Sequence, residues 1–229
     1  PPLPPDARFL RAADRLPHPF VLRAWGEDRA RVGGGDLVTI EVILVGRAID
    51  LLPHVMVAVG RMAMRGLGRE RLPLRLVGID QLEGREGRAR TLFDSQRQVD
   101  QVQPEGLQVP DISAAVEIEL LTPTNLVSDG RSLRQLEFAP LVRALLRRAS
   151  ALSAFHCNAA LELDYRALVD RAGTVQVAQA DTRHVTFKRY SSRQGQRVPQ
   201  EGLVGRARLE GDALRELARE VELVVEAQL

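Results

Sequence analysis

The pattern of hydrophobic residues in this 229-residue chain predicts strands that alternate with helices on either side of one polar segment. Before the segment, residues 36–45 alternate like a strand with one buried face, and residues 49–65 carry apolar side chains at helical spacing. Residues 72–79 and 89–93 again have strand character. The segment itself, residues 95–110, is rich in glutamine and has two prolines, so little of it can be buried. We therefore predict a domain boundary there.

The second half has a strand, helices, further strands and a closing helix. Both halves fit the ferredoxin-like βαββαβ unit, which predicts an α+β fold of two tandem, RRM-like domains. Neither half shows all six elements, and we expect the first domain to lack its opening elements and the second its final strand. The predicted boundaries are an irregular lead-in (1–35), a first domain (36–95), a linker (96–110) and a second domain (111–229). The predicted elements of the second half are strands at 115–121, 175–180, 184–190 and 203–209, and helices at 138–155, 165–171 and from Asp212.

Composition excludes several classes of protein. A hydrophobic content of 45% and a charged content of 27% are those of a globular domain. The single cysteine, Cys157, excludes a disulfide framework and a cysteine-rich zinc site, and it fits a reducing, cytoplasmic compartment. Apolar runs such as 51–59 are too short for a membrane span and are broken by Pro53 and His54. The chain begins without methionine or a signal segment, and we interpret it as a fragment.

The strongest polar feature is residues 183–200, RHVTFKRYSSRQGQRVPQ, which hold five Arg or Lys residues and no acid. Lys188 is the only lysine in the chain, whose net charge is just +2. Strand alternation would place Arg183, Val185, Phe187 and Arg189 on one face and His184, Thr186, Lys188 and Tyr190 on the other. Cations that meet phosphates, next to an aromatic ring that stacks on a base, suit single-stranded RNA. The alternative is a solvated basic hairpin.

Four histidines are candidates for proton transfer near neutral pH. His184 lies in the basic segment and is the best of them, and His54, in the first turn of the predicted helix, is the next. His156 could pair with Cys157, but a histidine that satisfies carbonyls at a helix end is the favoured interpretation. His18, between prolines, is interpreted as a loop residue.

Metal and nucleotide-cofactor sites find little support. The sequence has one thiol and no His-x-x-x-His, so we predict neither a metal nor a cofactor. The glycine pairs at 66–68 and 202–205 do not fit phosphate-binding fingerprints. We interpret them as turns or as close approaches of the backbone.

Four segments together resemble a known family. They are residues 43–79 (ILVGRAIDLLPHVMVAVGRMAMRGLGRERLPLRLVGI), 119–126 (ELLTPTNL), 138–157 (FAPLVRALLRRASALSAFHC) and 187–211 (FKRYSSRQGQRVPQEGLVGRARLEG). In order and spacing they resemble the CRISPR-associated RAMP-superfamily endoribonucleases, which process precursor CRISPR RNA.

This resemblance implies tandem ferredoxin-like domains, binding of precursor CRISPR RNA at its repeat, and metal-independent cleavage through the ribose 2′-hydroxyl to a 2′,3′-cyclic phosphate. It also implies contacts with other CRISPR effector subunits or a homodimer. The expected catalytic residues are His184, Tyr190 and His54. The expected RNA-binding residues are Arg183, Lys188, Arg189, Ser191, Ser192, Arg193, Gln194 and Arg197.

Two other functions remain open at this point. The chain could be a non-catalytic RNA-binding subunit of an effector complex, because some members of the family hold RNA without turnover. It could also be a small-molecule enzyme or an assembly module on the same fold. One experiment with a repeat RNA in EDTA would separate the three functions. Cleavage indicates the endoribonuclease, binding without cleavage indicates the RNA-binding subunit, and failure to bind RNA indicates the third function.

Overall fold

The computed structural model describes residues 17–25, 33–66, 71–83, 88–94, 112–191 and 195–227. The chain separates into two compact units, residues 1–108 with 151–159 (unit 1) and residues 109–150 with 160–229 (unit 2). Helices and antiparallel sheets occur together, which confirms the predicted α+β class. The strands are β1 (Phe20–Trp25), β2 (Thr39–Leu44), β3 (Gly78–Glu83), β4 (Arg88–Asp94), β5 (Ala115–Thr124), β6 (Val127–Ser128), β7 (Arg131–Ser132), β8 (Gln176–Ser191) and β9 (Gln196–Glu210). The helices are α1 (Leu52–Arg65), α2 (Phe138–Leu152), α3 (Tyr165–Ala172) and α4 (Ala213–Ala227).

Unit 1 contains two antiparallel strand pairs, β1 with β2 and β3 with β4, and helix α1 between them in sequence. A 3₁₀ turn leads into α1, and Pro53 stands in the first turn, where its missing N–H breaks no helical bond. The helix stops at Gly66, whose φ of 84° suits glycine and whose N–H donates to the carbonyls of Met62 and Ala63. The predicted glycine stop of this helix is confirmed.

Unit 2 is built on a three-stranded sheet of order β5-β9-β8 in which both neighbours of β9 are antiparallel to it. Strands β5 and β8 therefore run in the same direction, with α2 and α3 between them in sequence and α4 after β9. This is the ferredoxin-like βαββαβ order as far as its second helix.

The helices of unit 2 pack on one face of this sheet. Leu168 of α3 is 1% exposed and packs in one cluster with Leu209 of β9 and Leu214 of α4. A second cluster joins Leu141 of α2 to Leu203 of β9, which is completely buried. Leu203, Ala207 and Leu209 of β9 thus face the core, and Arg206 and Arg208 lie exposed on the opposite face.

Two segments of unit 1 differ from the sequence-based expectation. Phe20–Trp25 falls in the expected irregular lead-in but forms β1, because it finds a partner in β2, with Phe20 opposite Leu44. The strand expected over 72–79 begins only at Gly78. The Leu74 N–H donates to the carbonyl of Ala63 at the end of α1. This N–H therefore hydrogen-bonds to the end of the helix and not to a neighbouring strand.

In unit 2 the strands expected at 175–180 and 184–190 are one strand, β8. The polar residues between them, Asp181 to Arg183, continue the pairing with β9. They are tolerated because β8 is an edge strand and Asp181 and Arg183 are exposed. The expected linker, 96–110, lies outside the described residues. In the described ranges no helix is both long and apolar enough to cross a membrane.

Candidate nucleic-acid interface

Strands β8 and β9 extend well past the three-stranded sheet as a two-stranded ribbon. Pairing of β5 with β9 ends where Thr124 lies opposite Leu203. Beyond this point β8 and β9 stay paired without a break, from His184 opposite Leu203 to Ser191 opposite Gln196. We call residues 183–191 and 195–203 the ribbon. It contains most of the acid-free basic segment found in the sequence.

Two glycines in β9 allow the chain to leave the sheet in this way. A Cβ on Gly202 would lie 2.7 Å from the backbone of Pro123 and Thr124. The end of β5 can therefore cross β9 at this position only because Gly202 has no side chain. Gly205 has a φ of +120°, and a Cβ there would collide with the Asp181 carbonyl oxygen. The interpretation of 202–205 as a close approach of the backbone is confirmed.

The unbroken register between β8 and β9 fixes the two faces of the ribbon. His184, Thr186 and Lys188 share the face of Leu203, which is the core side of the sheet. Arg183 and Phe187 lie on the opposite face. This is the alternation predicted from the sequence for those five positions.

His184 sits where the ribbon leaves the core. Its side chain is 16% exposed, and its Nε2 lies 3.6 Å from Oε2 of Glu201, whose side chain is 41% exposed. The distance permits an ionic interaction whenever the imidazole is protonated. The structure thus pairs His184 with a carboxylate that sequence reasoning missed. Leu203 lies opposite His184 in the register, and Glu201, two residues before Leu203, must lie on the same face of the ribbon.

The arginines of the sheet and those of the ribbon have different electrostatic surroundings. Arg206 Nε donates to Glu119 Oε1 at 3.0 Å, and this hydrogen bond, with the charges of Glu119 and Glu117, raises the pKa of Arg206. Arg208 Nε donates to Glu210 Oε1 at 2.7 Å. Free cations are found on the ribbon instead. In the part of the chain that the structure describes, the exposed Arg183, Lys188 and Arg197 make no ion pair or hydrogen bond through their side chains.

The tip of the ribbon is described only in part. The backbone of Arg189, Tyr190 and Ser191 belongs to β8, paired with Val198, Arg197 and Gln196. The predicted contacts Ser192, Arg193 and Gln194 lie outside the described residues.

His54 lies in unit 1, on the exposed side of the first turn of α1. It lines an open groove of about 940 Å³ that also carries three exposed arginines, Arg61, Arg65 and Arg71. Sequence reasoning singled out the histidine and missed the arginines. The signal was available, because His54, Ala58, Arg61 and Arg65 follow one another at helical spacing. The lining residues are Pro53, His54, Val57, Ala58, Arg61, Met62, Arg65, Gly66 and Arg71.

The other two histidines, His156 and His18, make contacts within unit 1. His156 Nε2 donates to the carbonyl oxygen of Pro17 at 2.9 Å, so this histidine binds a carbonyl of a distant segment and not one of the helix end as expected. Cys157 beside it is exposed. The ring of His18 lies 5.4 Å from that of Phe20. Within the described ranges no three His, Cys, Asp or Glu side chains cluster so that they could hold a metal ion.

Comparison with known proteins gives matches to two family models, one over each part of the chain. Residues 118–227 match the model of the CRISPR-associated endoribonuclease Cas6, and residues 1–106 match a model described as an N-terminal domain. No curated protein sequence matches the chain significantly. A solved Cas6 product complex aligns with 94% of this chain and 75% of its own chain, at 17% identity and a TM-score of 0.47. The matched range includes β8, β9 and α4, so the C-terminal part of the chain is similar to the CRISPR-associated endoribonuclease Cas6.

Proposed function

We propose that this chain is an endoribonuclease of CRISPR RNA maturation that binds repeat RNA along the ribbon and cleaves it without a metal. The observation that carries the proposal is the separation of paired from unpaired cations. Arg206 and Arg208 bind carboxylates, whereas Arg183, Lys188 and Arg197 are exposed and unpaired among the described residues. Cations free of acidic partners can neutralise phosphates and release their counterions.

The proposed reaction needs only proton transfers and stabilisation of phosphate charge. A general base takes the proton of a ribose 2′-hydroxyl, whose oxygen then attacks the adjacent phosphorus. The P–O bond to the 5′-oxygen of the next nucleotide breaks, and that oxygen gains a proton. The products are a 2′,3′-cyclic phosphate and a 5′-hydroxyl. We propose His184 as the general base, with Glu201 stabilising the protonated imidazole.

Other residues are further candidates for the reaction and for RNA binding. Tyr190 and His54 are the further candidates for proton transfer. His54 lies beside Arg61, Arg65 and Arg71, which could hold a phosphate near its imidazole. The proposed RNA contacts are Arg183, Lys188, Arg189, Ser191, Ser192, Arg193, Gln194 and Arg197. Cytoplasmic location is part of the proposal, since repeat RNA is the substrate.

The test is single-turnover cleavage of the repeat RNA from the CRISPR array of the same genome, in excess EDTA, with end-group analysis of the products. We expect a 2′,3′-cyclic phosphate, and a cleavage rate about 10²- to 10⁴-fold lower for His184→Ala with Kd nearly unchanged. The cleavage rates of Tyr190→Phe and His54→Ala, measured in parallel, show which of these two residues contributes more to the reaction. An unchanged rate for His184→Ala contradicts the role of that residue.

A second candidate function is RNA binding without turnover, as a subunit of an effector complex. It is favoured by the burial of His184, whose side chain is only 16% exposed and so offers little surface to a ribose. No other proton-transfer side chain of the described residues contacts it. Salt-sensitive repeat binding with no product under any condition would support this function over cleavage.

A further inference from the structure

A pocket of about 430 Å³ lies beside the ribbon, where the end of β5 meets β9. This size falls within the range of about 300–1,000 Å³ that is usual for small-molecule sites. The pocket belongs entirely to unit 2. Its lining residues are Pro123, Asn125, Thr186, Phe187, Pro199, Gln200 and Glu201.

The crossing at Gly202 builds this pocket. Because Gly202 has no side chain, Pro123 and Thr124 approach the ribbon directly, and Asn125 follows them. Phe187 and Gln200 lie opposite each other in the register, so their side chains share one face of the ribbon. An aromatic ring and an amide thus stand side by side, with a second amide on the neighbouring segment.

These side chains are available to a ligand. Phe187 is 43% exposed, although a ring of this size normally gains by burial. Asn125 and Gln200 are exposed, and among the described residues neither amide has a hydrogen-bond partner. Each amide offers two N–H donors and one carbonyl acceptor.

Charge separates this pocket from the phosphate contacts. Among the described residues, the only charged one that lines it is Glu201, which would repel a phosphate. The exposed cation Lys188 follows Phe187 in sequence but does not line the pocket. A nucleotide whose phosphate lies on the ribbon can therefore direct its uncharged base away from the cations.

We propose that this pocket binds one unpaired nucleobase of the RNA, stacked on Phe187 and read at its edge by the amides of Asn125 and Gln200. The inference rests on the proposed RNA binding and adds a source of sequence preference to it. Unpaired bases that stack on an aromatic ring and bond through their edges are the usual means of sequence-specific RNA recognition.

The test measures the Kd of the full chain for four fluorescein-labelled octaribonucleotides, each of a single base, at low salt. We expect the wild type to prefer one base. Phe187→Leu, which keeps apolar volume but removes the ring, should weaken that complex about 5- to 150-fold, as expected for one stacked base. Phe187→Trp should restore binding. The double variant Asn125→Ala/Gln200→Ala should bind all four RNAs with similar affinity.

The control is Leu145→Ala, which removes an apolar side chain that is 56% exposed on α2 and should leave every Kd unchanged. Wild-type affinity and preference in Phe187→Leu would overturn the pocket while leaving RNA binding intact. Equal affinity of the wild type for all four RNAs would overturn it as well. Failure of the wild type to bind any of them, or the repeat RNA, would overturn both this inference and the proposed function.

Discussion

His184 and Glu201 lie on the same face of the β8–β9 ribbon, with 3.6 Å between imidazole Nε2 and carboxylate Oε2. When histidine accepts a proton from a ribose hydroxyl, a carboxylate at this distance can form an ion pair with the imidazolium. Glu201→Gln removes the charge and keeps the shape of the side chain. Because Glu201 is 41% exposed, water screens the pair, and we expect a cleavage rate only about fivefold lower. Single-turnover kinetics at saturating protein measures the cleavage rate. A rate for Glu201→Gln equal to or faster than that of the wild type would argue against His184 as the base.

The unpaired cations of the ribbon predict a salt-dependent affinity. In the double variant Arg183→Ala/Lys188→Ala we expect weaker binding of single-stranded RNA and a slope of log Kobs against log[salt] that is smaller in magnitude by about 0.7 for each lost phosphate contact. The matched control is Arg166→Ala, because Arg166 is 93% exposed but pairs with Asp170 on α3. A slope that changes equally in both proteins would contradict the placement of RNA on the ribbon.

Regular hydrophobic periodicity explains which elements were predictable from sequence. Helices α1 and α2 carry strong apolar stripes, and β2 and β5 alternate, so local pattern alone indicated their type and approximate position. Strand β1 was missed because its pairing with β2 is a tertiary contact and prolines crowd the sequence before it. The continuity of β8 was missed because an exposed edge strand tolerates polar residues that otherwise indicate a loop.

The candidate site was predictable only in part, for a similar reason. The basic segment is contiguous in sequence, so its cations could be recognised without a structure. The pocket requires residues 123–125 to meet residues 186–187 and 199–201, and this depends on the crossing at Gly202. No local pattern contains that information. Glu201 was overlooked because it lies one residue past the acid-free stretch.

The core between the three-stranded sheet of unit 2 and its helices gives a test of the fold. Leu168 is 1% exposed and packs in one cluster with Leu209, Leu214 and Leu217. Leu168→Ala should lower the free energy of unfolding by about 2–5 kcal/mol, because it leaves a cavity between α3, α4 and the sheet. Leu145→Ala, on the exposed side of α2, should cost less than about 0.5 kcal/mol. Urea titration followed by circular dichroism compares the two, and similar losses would contradict this assignment of the core.

A pair of glycine variants tests the crossing that builds the pocket. In Gly202→Ala the new methyl group would lie 2.7 Å from the backbone of Pro123 and Thr124, so one segment must move. We expect a loss of about 1–3 kcal/mol in the free energy of unfolding, as for other overpacked sites, together with a loss of base preference in RNA binding. Gly60→Ala is the matched control, since nothing lies within 4 Å of its added Cβ in helix α1, and it should stabilise the protein by about 0.5–1 kcal/mol. Urea titration gives both values, and a neutral Gly202→Ala would show that β5 does not approach the ribbon as closely as this structure has it.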